Sequence, residues 1–230
     1  MRTESISTWR TALVASLGPE PGPAARELWY ILHGQAMRAT QILEMAAALN
    51  DGTRLLVAPE ALNRHYVGPA VSRDAPIGAT WMTRAERESE MRDYVAYFET
   101  VHARMRERFG GATAPVTILG FSQGGAAAVR WVAGGTIRPK HLVVWESSLP
   151  PEVDWRALMA RQPGLRVTYV CGTRDKFITP KVLDAQHAIL HEAGVPFEAV
   201  SFDGGHRLDD ETLRSLASGP SPATGRREGG

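Results

Sequence analysis

The chain has 230 residues, 43% hydrophobic and 22% charged, a globular composition long enough to bury a core without disulfide or metal staples. Lys plus Arg number 26 and Asp plus Glu 25, a formal net charge of +1, so no overall field favours nucleic acid or an anionic membrane. The single cysteine, Cys171, excludes an internal disulfide and any Cys-based metal cluster.

At the N-terminus, Glu4 and several hydroxyl residues stand where a secretory leader would carry basic residues, and "ALVASLG" is too short for its apolar segment. No stretch approaches the roughly 18 apolar residues of a membrane span. A soluble, cytoplasmic protein without a transmembrane segment is expected.

The first element, "TWRTALVASL" (8–17), reads as an antiparallel edge strand. "ELWYILHG" (27–34) and "RLLVAPE" (54–60) are near-continuous apolar runs of strand length, as central strands covered on both faces require. Between them "MRATQILEMAAALN" (37–50) has the helical period and stops at Asn50-Asp51-Gly52. Residues 60–82 have no clear period and are long for a plain connection; Tyr66, Trp81 and Met82 favour a packed loop over a floppy one. A long helix follows over 83–109, with Thr83 and Glu86 at capping-box spacing and Met91, Tyr94, Val95, Phe98, Val101 and Met105 on one face.

Further strands are expected at "VTILG" (116–120), "HLVVWES" (141–147), "RVTYVCG" (166–172) and "FEAVSF" (197–202). Helices follow Ser122 and Pro180, and a last one covers 208–218, opened by acids that suit its N-terminus. Strands alternating with helices predict a doubly wound α/β fold, a mostly parallel sheet with helices on both faces and no large cap domain. Residues 1–218 form one domain in this reading, and 219–230 a disordered tail.

The stretch "GFSQG" (120–124) fits G-x-S-x-G, the nucleophile elbow, and has the strand before it and the helix after it that the motif demands. Such an elbow lifts a serine Oγ above the sheet edge, and the flanking glycines let strand and helix approach. Two partners follow in hydrolase order, each just past a later strand. Asp175 lies 53 residues after Ser122, and His206 31 residues after Asp175. In this triad Ser122 is the nucleophile, His206 its base and acid, and Asp175 the group that orients the imidazole. Asp203 is a rival acid, but its position three residues before the histidine suits a turn better.

Oxyanion donors are expected from the backbone N–H of Gln123 and of Gln35, the latter in the loop after His33-Gly34. His33 reads as a structural histidine, Trp29 and Trp145 as core, and Cys171 as an inert buried thiol. By position alone, Trp81, Met82, Phe177 and Leu149 are candidates for contact with substrate. Carboxylates and histidines are scattered without H-E-x-x-H, and no glycine-rich stretch fits a nucleotide loop, so neither metal nor organic cofactor is expected.

On "LHGQ" (32–35), "GFSQGG" (120–125), "GTRDKFITP" (172–180) and "GGH" (204–206), the chain resembles the α/β-hydrolases. Within them it is similar to the phospholipase/carboxylesterase branch, which includes acyl-protein thioesterases. The resemblance implies a compact, lid-poor enzyme whose triad matches Ser122, Asp175 and His206. The loop after His33-Gly34 departs from the Leu-Gly-Asp type of that branch, and "ATWMTR" (79–84) shares only the Trp of its Trp-Phe-Asp segment.

The function expected is hydrolysis of small-molecule carboxylic esters, or thioesters, of small or medium acyl groups through an acyl-enzyme, by a monomer or homodimer. An amidase, peptidase or acyltransferase on the same triad is the enzymatic alternative. A non-catalytic binding module on a hydrolase scaffold is the alternative from another class.

Overall fold

The computed structural model describes residues 3–22, 24–68, 74–109 and 114–219. The frame is a seven-stranded sheet in the order β1-β3-β2-β6-β7-β8-β9. Its strands are β1 (Val14–Leu17), β2 (Glu27–Leu32), β3 (Arg54–Pro59), β6 (Val116–Phe121), β7 (His141–Trp145), β8 (Arg166–Gly172) and β9 (Phe197–Phe202). β1 pairs antiparallel with β3, and every other pairing in this sheet is parallel. No helix among the described residues is long and apolar enough to cross a membrane.

Near-continuous apolarity in the central strands is explained by what covers them. Leu28, Tyr30 and Leu32 of β2 face a core shared with Tyr94, Phe98, Trp131 and Trp155. Trp29 and Ile31, pointing the other way, join Ile42, Leu43 and Leu213. The first face is covered by α2 (Arg87–Arg108), α3 (Gln123–Gly134), α4 (Trp155–Arg161) and α5 (Pro180–Glu192), the second by α1 (Ala39–Met45) and α6 (Asp210–Ala217). A strand buried on both faces has no polar side to alternate with.

Several sequence expectations change in detail. The 37–50 helix is α1 followed by a 3₁₀ turn over Ala47–Leu49. The capping box at Thr83 and Glu86 does not form: α2 starts four residues later, its N-cap Glu86 makes no side-chain cap, and Glu90 instead accepts from Thr83 N–H and Oγ1. Residues 60–82 are not an irregular loop but carry a hairpin of β4 (Asn63–Tyr66) and β5 (Ile77–Thr80). Helix α4 was hidden in "DWRALMAR"; Asp154 caps it through Ala157 N–H at 3.0 Å, but seven residues between prolines are too few to show a period. The expected disordered tail lies outside the described residues apart from Gly219.

Candidate active site

At the end of β6 the chain turns sharply into α3, and Ser122 sits at the corner with φ +54° and ψ −124°. A non-glycine residue there is strained, and the strain is held from both sides. Ser122 N–H donates to Trp145 O at 2.9 Å, and Ser122 O accepts from Gly125 N–H. A Cβ on Gly120 would lie 2.3 Å from Gly124 O, and one on Gly124 would lie 2.3 Å from Leu32 O. Both glycines are therefore required by contact between strand, helix and the neighbouring strand β2.

Asp175 follows β8 in a tight turn, where its Oδ1 accepts from the N–H groups of Phe177 (2.6 Å) and Ile178 (3.0 Å). Its Oδ2 accepts from His206 Nδ1 at 2.8 Å. Burial works to raise the Asp175 carboxyl, but the hydrogen bonds from His206, Ile178 and Phe177 outweigh it and hold the group below its ordinary range. With Nδ1 engaged, the other ring nitrogen of His206 is left for proton transfer. The ring is gripped by Phe121 and Phe177, with centroids at 4.9 and 4.8 Å. The rival Asp203 is exposed and paired with Arg174 on the surface.

Ser122 and His206 open into one cavity of about 700 Å³, with Gln35, Ala36, Gln123 and Phe177 among its walls. No hydrogen bond joins Ser122 Oγ to His206 among the described residues; in unliganded enzymes such contacts tighten when substrate binds. Gln123 is the first residue of α3, so its N–H lies in the helix's unpaired first turn. The loop after β2 runs close beside the serine: a Cβ on Gly34 would lie 3.2 Å from Ser122 Cβ. Ala36 takes φ +59°, and Ala79 N–H donates to Met37 O at 3.0 Å, which pins this loop to β5. Gln35 is exposed on it.

No protein-family model matches the chain, and neither does any curated protein. Solved structures do. A carboxylesterase from Mesorhizobium loti is 19% identical with a TM-score of 0.65, covering 85% of this chain and 90% of its own. Esterase PE8 is 18% identical with a TM-score of 0.64, covering 91% and 97%. SOBER1 of Arabidopsis thaliana is 21% identical with a TM-score of 0.62, covering 84% and 97%. The fold is the α/β-hydrolase fold. At these identities the likeness is one of architecture.

Within the α/β-hydrolase frame, every functional candidate lies just past the C-terminal end of a strand. The loops after β2 and β6 flank the point where the strand order reverses, the place where open α/β sheets bind ligands. Of the four residues proposed for substrate contact, Phe177 lines the cavity; Trp81, Met82 and Leu149 do not. Trp81 is core, 2% exposed, stacked on His33 at 4.7 Å and donating Nε1–H to His33 O. Met82 packs against the same core, and buried Leu149 donates its N–H to Gln186. Their apolar side chains were absorbed by the α2–α3 side of the sheet, and Met37, Met45 and Ile178 wall the cavity instead.

His33 is structural. It bonds Gly34 O through Nδ1 and accepts from Ala61 N–H through Nε2, and burial lowers its pKa to about 4. Cys171 is buried beside two carboxylates and pushed up to about 12, first by burial and then by Asp175 and Glu146.

Two features escaped the sequence reading. The Gln123 side chain accepts from Thr80 Oγ1 (2.8 Å) and Trp81 N–H (2.9 Å) and donates to Met82 O (3.0 Å), tying the elbow to the end of β5. The second is Glu146, at the end of β7 with φ +49° and 1% exposed.

Proposed function

We propose that this chain is a serine hydrolase of the phospholipase/carboxylesterase branch, cleaving carboxylic esters of small or medium acyl groups through an acyl-enzyme. The observation that carries the reading is Ser122, strained at +54° on the strand-to-helix corner and sharing a cavity with a histidine whose Nδ1 is held by Asp175.

In the first half-reaction Ser122 Oγ attacks the ester carbonyl while His206 takes the hydroxyl proton. The oxyanion forms against the N–H groups of Gln123 and Gln35, helped by the positive end of α3. As the tetrahedral adduct collapses, His206 returns the proton to the departing alcohol, leaving the acyl group on Ser122. Water then attacks this ester, His206 takes one of its protons, and the acid leaves as that proton returns to Ser122. Asp175 stays ionised throughout, fixing the tautomer and stabilising the imidazolium. No cofactor or metal is needed, so dialysis against EDTA is expected to leave the rate unchanged.

A cavity of about 700 Å³ walled by Met37, Met45, Phe121 and Ile178 suits a short or medium apolar chain. The test of the reading is labelling with a fluorophosphonate. Attachment at Ser122, located by peptide mass spectrometry and absent in Ser122→Ala, is the expected result. A wild-type protein that resists the probe would return the chain to the binding-module alternative.

A further inference from the structure

Behind the histidine stands a second carboxyl group that the mechanism above does not use. Glu146 Oε2 lies 3.5 Å from His206 Nδ1, the nitrogen already held by Asp175 at 2.8 Å. The carboxylates of Glu146 and Asp175 and the His206 nitrogen all lie within 4.8 Å of one another. Glu146 Oε1 accepts from Gly172 N–H at 3.0 Å, but Oε2 is fully buried with no hydrogen-bond partner among the described residues. The main chain is bent to put it there, since a glutamate at φ +49° is held against its preference. Gly172 makes the room: a Cβ at that position would lie 2.8 Å from Glu146 Oε1.

We propose that Glu146 is a second acid of the histidine relay, a positioning residue that stands behind Asp175 and takes over His206 Nδ1 when Asp175 is lost. This rests on the serine-hydrolase reading for its consequence, though not for its geometry. Two buried carboxylates this close to each other do not both ionise readily, and a proton on Oε2, directed at Asp175, explains the oxygen that lacks a donor. Burial, then the charge of Asp175, pushes Glu146 up to about 8. The other titratable groups around it are His206, Cys171 and Tyr169, none of them a fixed cation, and the Arg207 guanidinium is engaged by Asp209 at 3.0 Å. Without Asp175's charge, Glu146 ionises more readily and becomes the acceptor for Nδ1–H.

The test uses Asp175→Asn, which keeps an oxygen to accept from the Phe177 and Ile178 N–H groups and so preserves the turn. The expected fluorophosphonate labelling rate of this variant is within about 100-fold of wild type, rising with pH as Glu146 ionises. Asp175→Asn/Glu146→Gln should fall by on the order of 10⁴, the loss a histidine suffers without its acid. The low-field proton resonance of His206 Nδ1–H, read by NMR, should persist in Asp175→Asn and vanish in the double variant. A structural role alone would change unfolding midpoints without moving that signal. If Asp175→Asn labels as slowly as the double variant, or loses the resonance by itself, the proposal is wrong. Wild-type inertness to the probe would sink the hydrolase reading while leaving the NMR comparison to judge Glu146. Should the double variant fail to fold, the pH dependence of Asp175→Asn decides, a flat profile counting against Glu146.

Discussion

At the scale of single residues, the elbow is a set of close approaches that leave no room for a methyl group. Gly124→Ala would place a carbon 2.3 Å from Leu32 O, which is main chain and cannot swing aside. The expected cost is about 3 kcal/mol in urea unfolding, the upper end for overpacking, with loss of ester hydrolysis as Ser122 is pushed from its turn. Glu146 sets a second residue-scale expectation. Its folded pKa, about 8, lies above the ordinary carboxyl value of 4.5, so between those values the folded state holds a proton that the unfolded chain releases. The stability it contributes is present below pH 4.5 and lost as pH rises through 8. Glu146→Gln should abolish that decline, seen as urea midpoints that fall less than wild type's between pH 5 and pH 8. A variant that tracks wild type over this range would show that Glu146 is ionised throughout.

At the scale of elements, the seven strands of the main sheet and the order of Ser122, Asp175 and His206 were legible because each signal is local: an apolar run, then a turn, then a reactive side chain. Glu146 was illegible for the opposite reason. In "VVWES" it looks like the polar end of a strand, and its meaning comes from Gly172 at the end of β8 and from Asp175 and His206, which the loops after β8 and β9 bring to it. Of the pocket candidates, Phe177 lines the cavity, whereas Trp81 and Met82 could be placed only once β4 and β5 formed a hairpin whose far end packs on α2 and α3. Gln123 joins that hairpin to the elbow by three side-chain hydrogen bonds. Gln123→Ala keeps the backbone N–H but strands Trp81 N–H and Met82 O, so a loss of about 2 kcal/mol is expected. Hydrogen exchange should quicken over residues 77–82, and unchanged protection there would show that the hairpin holds the elbow by packing alone.

For the molecule as a whole, burial on both faces of the sheet traps histidines that the mechanism does not need. His33 and His141 are lowered to about 4 and about 3, first by burial, and in His141 also by Arg166. Both fall below the ordinary 6.5, so on acidification the unfolded chain binds protons that the folded one refuses. Stability should therefore drop as pH falls from about 6.5 towards 4, opposing the trend from Glu146, and urea midpoints across that range would read the slope. The same sheet brings five loops from separate strands to one edge, where they assemble the serine, the histidine and the carboxylates behind it. The most direct measurement is hydrolysis of p-nitrophenyl esters from acetate to palmitate by wild type and Ser122→Ala. Turnover is expected to peak at short or medium chains and to disappear in the variant. Equal rates for the two proteins at every chain length would contradict it.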